Sequence, residues 1–350
     1  MAINTQNKQY LLDVVLIRLV LIILLVIFHA FAIHTGGWFP PYDTFKPIPA
    51  YDWFGMFTHI FQLEAMTFIS GILMGYQSLR KPDSIKSFSF IIKKIKRILL
   101  PCLIFGIAYY ALFGDLSASP LLIFYRLING YGHLWFLPMI FWCFLLTYLI
   151  TNKLPPPKCK YMLIISLLWL VFNPIAMLPL GLGVLGRYYF YFYLGFCLKQ
   201  GIVRFPANNK INMGIALLLL IIFFMSWKLL REYWQADMGF AERMTRFIVC
   251  NCMNAITVTS AVFLLYVIAN KSKVIEFIQH KPILVTLSGY CYGVYIYQEF
   301  ILRLLYYKTS LPLHIDKFVL PWLAAGITLI ASLLLCHITL RFKFGRFLIG

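Results

Sequence analysis

VVLIRLVLIILLVIFHAFAIH, residues 14–34, is apolar along its whole length apart from Arg18, His29 and His34. About 20 such residues suffice for an α-helix to cross a hydrocarbon core of roughly 30 Å. The run is too long for the apolar region of a secretory signal and lacks a small-residue cleavage pattern, so it is expected to be a retained membrane helix. Similar runs recur along the 350 residues, of which 61% are hydrophobic and 12% charged. Soluble domains carry roughly 25% charged residues, and a water-soluble fold of this composition could not cover its own apolar surface. The expected fold class is an all-α, polytopic membrane helix bundle.

Apolar runs and their Pro, Gly and polar breaks predict about ten transmembrane helices, near 12–34, 54–78, 91–113, 133–151, 161–180, 187–199, 212–230, 246–270, 283–306 and 318–341. Pro174, Pro179, Gly181, Gly183 and Gly186 interrupt the fifth and sixth. Cytoplasmic loops gather Lys and Arg. Placing the N-terminus inside puts Lys8, then Arg80–Arg97, Lys153–Lys160, Lys199–Lys210, Lys271–Lys281 and Arg341–Arg346 on one side. The opposite loops hold most of the acids, among them Asp43, Asp52, Asp115, Glu232, Asp237, Glu242 and Asp316. Both termini are therefore expected in the cytoplasm, and residues 1–350 are expected to form a single membrane domain with no soluble domain attached. The loop 35–53, with Trp38 and four prolines, is rigid enough to lie over a site as a lid.

The net charge of +19 follows this loop pattern, which points to topology and anionic lipid rather than nucleic acid. The eight cysteines show neither a C-x-x-C pair nor zinc-type spacing, and read as small buried hydrophobes with no metal site.

Ionisable groups inside a span are costly, so each is a candidate functional residue. Arg18 and His29 lie eleven residues apart, about three full helical turns, and so share a helix face at a separation of about 16 Å. Arg18 suits a phosphate or carboxylate, or else snorkels to the headgroups. His29 suits proton transfer near neutral pH, or else bonds a neighbouring helix. In the second helix His59 and Glu64 point about 140° apart and do not form one dyad. His59 either belongs to the site with Gln62 or lies at the outer interface. Glu64 needs either a histidine to orient or an intramembrane base as its partner. In the ninth helix Gln298 and Glu299 are candidates, and Arg303 stands at i+4 from Glu299 as a ready ion-pair partner. In "KSFSFIIKKIKRILLP" (residues 86–101) the basic cluster either anchors the chain to headgroups or, through Lys94 and Arg97, receives the phosphates of a nucleotide-bearing donor. No phosphate-binding glycine loop is present.

These residues resemble acyltransferase family 3, the membrane O-acyltransferases that modify bacterial polysaccharides and related glycans. The likeness rests on the Arg-x10-His spacing in "RLVLIILLVIFH" (Arg18 to His29), "FISG" (Phe68 to Gly71), "KIKRILLP" (Lys94 to Pro101), "HLWFLP" (His133 to Pro138) and "YGVYIYQ" (Tyr292 to Gln298). It covers nearly the whole chain. It implies a cytoplasmic acyl-CoA donor, as co-substrate and not as a permanently bound cofactor, and an acceptor at the outer face. His29 would be the catalytic base, and Arg18, Lys94 and Arg97 would hold the donor. Lys94 stands where the family has a motif arginine, Gln298 where many members have histidine, and Gln62 and Glu64 where many have histidine and proline.

The expected reaction is general-base acyl transfer, with acetyl as the family default and succinyl as the alternative. Neutral His29 takes the proton of a glycan hydroxyl, Glu64 orients the imidazole, and Gln298 stabilises the oxyanion. An acyl-histidine relay fits the same residues. His59, Gln62, His133, Gln298 and Glu299 are candidates for the acceptor or oxyanion site. The expected partners are acyl-CoA, a sugar or glycan and the bilayer of a bacterial inner membrane. The competing readings are a transporter or flippase of a glycan-linked lipid, and an acyltransferase for a small molecule or lipid headgroup.

Overall fold

The computed structural model describes residues 12–154, 159–173, 178–232 and 238–350; Lys8, Lys158, Pro174 and Asp237 lie outside them. The described residues are helical with no strand. Ten long helical stretches follow the predicted order: α1 (Leu12–Ala30), α2 (Pro49–Arg80), α3 (Phe88–Phe113), α4 (Gly132–Lys153), α5 (Cys159–Phe172), α6 (Leu182–Lys199), α7 (Lys210–Glu232), α8 (Phe240–Ala269), α9 (Pro282–Tyr307) and α10 (Leu320–Thr339). Seven of them, all but α5, α6 and α9, are both long and apolar enough to cross a membrane. In α6 the tyrosine-rich sequence is buried by neighbouring helices instead of facing lipid. α9 likewise carries Gln298 and Glu299 inside the protein.

Several boundaries differ from the sequence reading for local reasons. α1 stops at Ala30, and residues 31–36 continue as turns. α2 begins at Pro49, five residues before the predicted start, because proline suits the first helical position, where no N–H is needed. α6 begins at Leu182, after Gly181 in the left-handed conformation (φ 73°). Within α3 the segment Ile95–Leu99 is a π-turn. Pro101 has no N–H to offer the Arg97 carbonyl, and the Tyr292 hydroxyl donates to that carbonyl instead, at 3.2 Å.

Among the described residues, four contacts at helix ends and loops join segments that the charge pattern assigned to a common side. Tyr51 Oη donates to the Phe318 carbonyl (2.9 Å), Tyr307 Oη to that of Phe39 (2.8 Å), and the Leu180 N–H to Asn129 Oδ1 (2.6 Å). On the opposite side Asn152 Nδ2 donates to the Lys86 carbonyl (3.3 Å).

The bundle is drawn together where α2 crosses α6. A Cβ on Gly71 would collide with the Phe192 carbonyl, and one on Gly195 with the Phe68 carbonyl. Small residues let two membrane helices approach this closely. The FISG motif is therefore a packing feature, and it fixes the depth at which Glu64 of α2 faces Arg187 of α6. α1 lies against α2, α9 and α10, so Arg18 and His29 look onto the α9 seam.

Candidate active site

His29 sits near the end of α1 and bonds across to α9, where its Nδ1 lies 2.9 Å from Gln298 Oε1. An amide oxygen only accepts, so Nδ1 carries the proton and Nε2 keeps its lone pair. Gln298 is fully buried, and its Nε2 has no partner among the described residues. A buried N–H left unpaired costs about 1–3 kcal/mol. That unspent donor lies on the Nδ1 side of the ring, and the Nε2 lone pair faces the other way.

One residue further along α9, buried Glu299 is held from three sides. The Tyr109 hydroxyl of α3 donates to Oε1, and Arg303 Nε reaches the same oxygen at 3.1 Å. His133 Nδ1 lies 3.2 Å from Oε2, within ion-pair range but not aligned as a hydrogen bond. His133 Nε2 donates to the Ile296 carbonyl (3.0 Å), and the His133 carbonyl accepts from Tyr295 Oη (2.5 Å). The local sequence explains the placement. Gly130 (φ 77°) and Gly132 (φ 65°) adopt left-handed backbone that only glycine takes up readily, and they turn the chain into the 3-10 segment Gly132–Trp135 that presents His133.

Two cavities flank this centre. One, of about 190 Å³, is lined by Arg18 and Ile22 of α1, Ser70 of α2, Ile98 of α3, Phe136 and Phe144 of α4, and Cys291, Tyr292 and Tyr295 of α9, with Met66, Ile69, Leu137 and Ile140. Arg18 is its sole charged lining residue, and the guanidinium has no ion-pair or hydrogen-bond partner among the described residues. Lys94 packs its ammonium 3.7 Å from the ring centre of Phe144, a wall of that cavity, while the Arg97 side chain is exposed. The second cavity, of about 330 Å³, is lined by Gly37, Trp38, Phe39, Pro40, Arg303 and Tyr307. The Trp38 ring lies 6.1 Å from that of His29 and nearly parallel to it.

A profile for acyltransferase family 3, described as an acyltransferase domain, matches residues 11–341, nearly the whole chain. The chain belongs to that family. No curated protein and no solved structure matches it. Membership makes this an acyl-transfer enzyme, and its long apolar helices make it an integral membrane protein.

One role expected of this acyltransferase is corrected. Glu64 does not orient His29: its Oε1 accepts from Arg187 at 2.9 Å (Nε) and 2.8 Å (Nη2). A carboxylate buried to 1% exposure needs a charged partner, and the α2–α6 crossing supplies Arg187, while Gln298 does the orienting. Gln298 thus serves His29 with its oxygen, and its nitrogen lies on the Nδ1 side of the ring, away from the Nε2 lone pair beside which the expected oxyanion would form. His59 and Gln62 bond each other (3.2 Å), and the His59 ring stacks on Phe28 at 4.0 Å, one residue from His29. Neither is bonded to the His29–Gln298 pair. The sequence reading missed Tyr109, Trp38 and Arg187 as parts of these networks. The i+4 spacing of Glu299 and Arg303 had marked their pairing, but not the cavity that Arg303 lines.

Proposed function

We propose that this enzyme moves an acetyl group from acetyl-CoA to a hydroxyl of an envelope or secreted glycan, working as a single membrane domain in a bacterial inner membrane. The observation that carries the reading is the position of His29, with its tautomer set by Gln298, between an Arg18-lined cavity and a Trp38/Arg303-lined one. The donor enters from the cytoplasmic side. Lys94 and Arg97 take its phosphates at the entrance, and Arg18 pairs with an anionic or strongly polar part of it inside an otherwise apolar passage. About 16 Å separates Arg18 from His29 along the helix, a span suited to the extended arm that carries the thioester.

Unprotonated Nε2 of His29 takes the proton of the acceptor hydroxyl as its oxygen bonds to the thioester carbonyl carbon. The carbonyl oxygen becomes an oxyanion as its carbon turns tetrahedral. The tetrahedral centre then collapses, the C–S bond breaks, and the CoA sulfur takes the proton back from the imidazolium. The products are the glycan ester and CoA thiol, with His29 restored. Glu299, His133, Tyr109 and Arg303 hold α9 so that Gln298 keeps its aim.

Membranes containing the wild type or His29→Ala, incubated with radiolabelled acetyl-CoA and an envelope glycan fraction, test this. Label in the glycan that depends on His29 is the expected result. Undiminished labelling with His29→Ala would overturn it.

A further inference from the structure

The cavity beside Trp38 carries more information than its position. Arg303 gives only its Nε to Glu299; its two terminal amino groups have no partner among the described residues, and the side chain is 30% exposed. Glu299 is itself satisfied by Tyr109 and faces His133, and no acid lines the cavity. The Arg303 guanidinium also lies 5.0 Å from the Trp38 ring centre, so cation and aromatic surface are presented together. The walls are preformed, since Tyr307 Oη holds the Phe39 carbonyl at 2.8 Å and the Trp38 N–H donates to the Ala32 carbonyl at 3.1 Å.

We propose, resting on the acyl-transfer reading above, that this cavity is an acceptor subsite for an acidic sugar: the apolar face of a pyranose lies on Trp38 and Tyr307, and its carboxylate takes the open fork of Arg303. Aromatic rings accept the C–H face of a sugar without demanding hydrogen bonds, and a planar guanidinium pairs two N–H groups with a carboxylate. A neutral sugar offers the terminal donors of Arg303 only hydroxyl oxygens, which pair with them more weakly than a carboxylate does. Trp38 faces both this cavity and His29, so a sugar stacked there carries its hydroxyls next to the base. The acyl group is thereby directed to an acidic residue of the glycan or to its immediate neighbour.

The test uses the full-length protein in detergent and one glycan in two forms: an oligosaccharide containing glucuronic acid, and the same oligosaccharide with its carboxyl groups reduced to alcohols. Binding is read from tryptophan fluorescence without donor, and transfer from labelled acetyl-CoA. The acidic form is expected to bind about tenfold or more tightly, and Arg303→Gln is expected to remove most of that preference. Arg303→Gln also unpairs Glu299, so Tyr307→Ala provides a second variant outside that network. It is expected to weaken both forms and keep the preference. Equal binding of the two forms by the wild type, or no effect of Tyr307→Ala on either, would overturn the proposal. Transfer to both forms at equal rates would sink this proposal and leave the acyl-transfer reading standing. Tight, Arg303-dependent binding of the acidic form without transfer from acetyl-CoA would do the reverse.

Discussion

His29 Nδ1 donates to Gln298 Oε1 across the α1–α9 seam at 2.9 Å, and that bond decides which imidazole nitrogen a substrate can use. A carboxylate in the same place would draw the proton toward itself and stabilise imidazolium. An amide fixes the ring and takes no proton. The other end of the same amide keeps an N–H with no partner among the described residues.

Gln298→Ala removes the acceptor that fixes the His29 tautomer. The expected result is a fall in kcat of about 10²–10³-fold with little change in the KM for acyl-CoA, read from steady-state transfer rates. A rise in KM at unchanged kcat would place Gln298 in donor binding.

Arg18 is the sole charged lining residue of the inner cavity. Arg18→Gln is expected to raise the KM for acyl-CoA by roughly 10–100-fold, the worth of a hydrogen bond to a charged group, and Arg18→Lys by less, because the charge is kept although the planar fork is lost. An unchanged KM would make Arg18 a residue that merely snorkels to the headgroups.

Glu64 and Arg187 pair across the α2–α6 crossing, and Glu64 makes no bond to His29. Arg187→Gln, which leaves buried Glu64 unpaired, is expected to cost about 3–5 kcal/mol, Glu64→Gln less because the Arg187 side chain is 40% exposed, and the double variant less than the sum, by thermal unfolding in detergent. Folded Glu64→Gln protein is expected to keep its kcat. A large loss of kcat at unchanged stability would return Glu64 to the reaction.

The loop that carries Trp38 contains a proton-sensitive contact. The Ile48 N–H donates to His34 Nδ1 at 3.1 Å, and burial, with Lys317 nearby, lowers the pKa of His34 from 6.5 to about 4. The opened loop binds the proton more readily than the closed one. The contribution of His34 to closure is therefore complete above about pH 6.5 and is lost as pH falls toward 4. Hydrogen exchange across residues 31–48, corrected for the intrinsic rate, is expected to quicken between pH 7 and 5. Exchange unchanged over that range would contradict the assignment.

The order of the ten helices was legible because lipid as a solvent imposes long apolar runs, which one sequence displays directly. α6 and α9 were legible for another reason: breaks at Gly and Pro framed them although their composition is less apolar. What could not be read was the pairing across helices. Nothing in the periodicity of α2 says that Glu64 meets Arg187, which stands at the end of a glycine-rich segment and looked like the edge of a span. Tyr109 likewise appears as an ordinary membrane aromatic until α3 brings it to Glu299, and Trp38, expected only as part of a loop able to cover a site, is brought beside His29. Within one helix, by contrast, geometry was readable: Arg18 with His29 by rotation, and Glu299 with Arg303 by the i+4 rule.

Transfer across the bilayer is the most direct test of a His29 that lies between a donor cavity and an acceptor cavity. Sealed proteoliposomes would be prepared with the protein in one orientation, the glycan trapped inside and labelled acetyl-CoA supplied outside. If the Lys94–Arg97 face is outward, the account predicts label on the trapped glycan, and none with His29→Ala. Labelling only when donor and glycan share one compartment would contradict it.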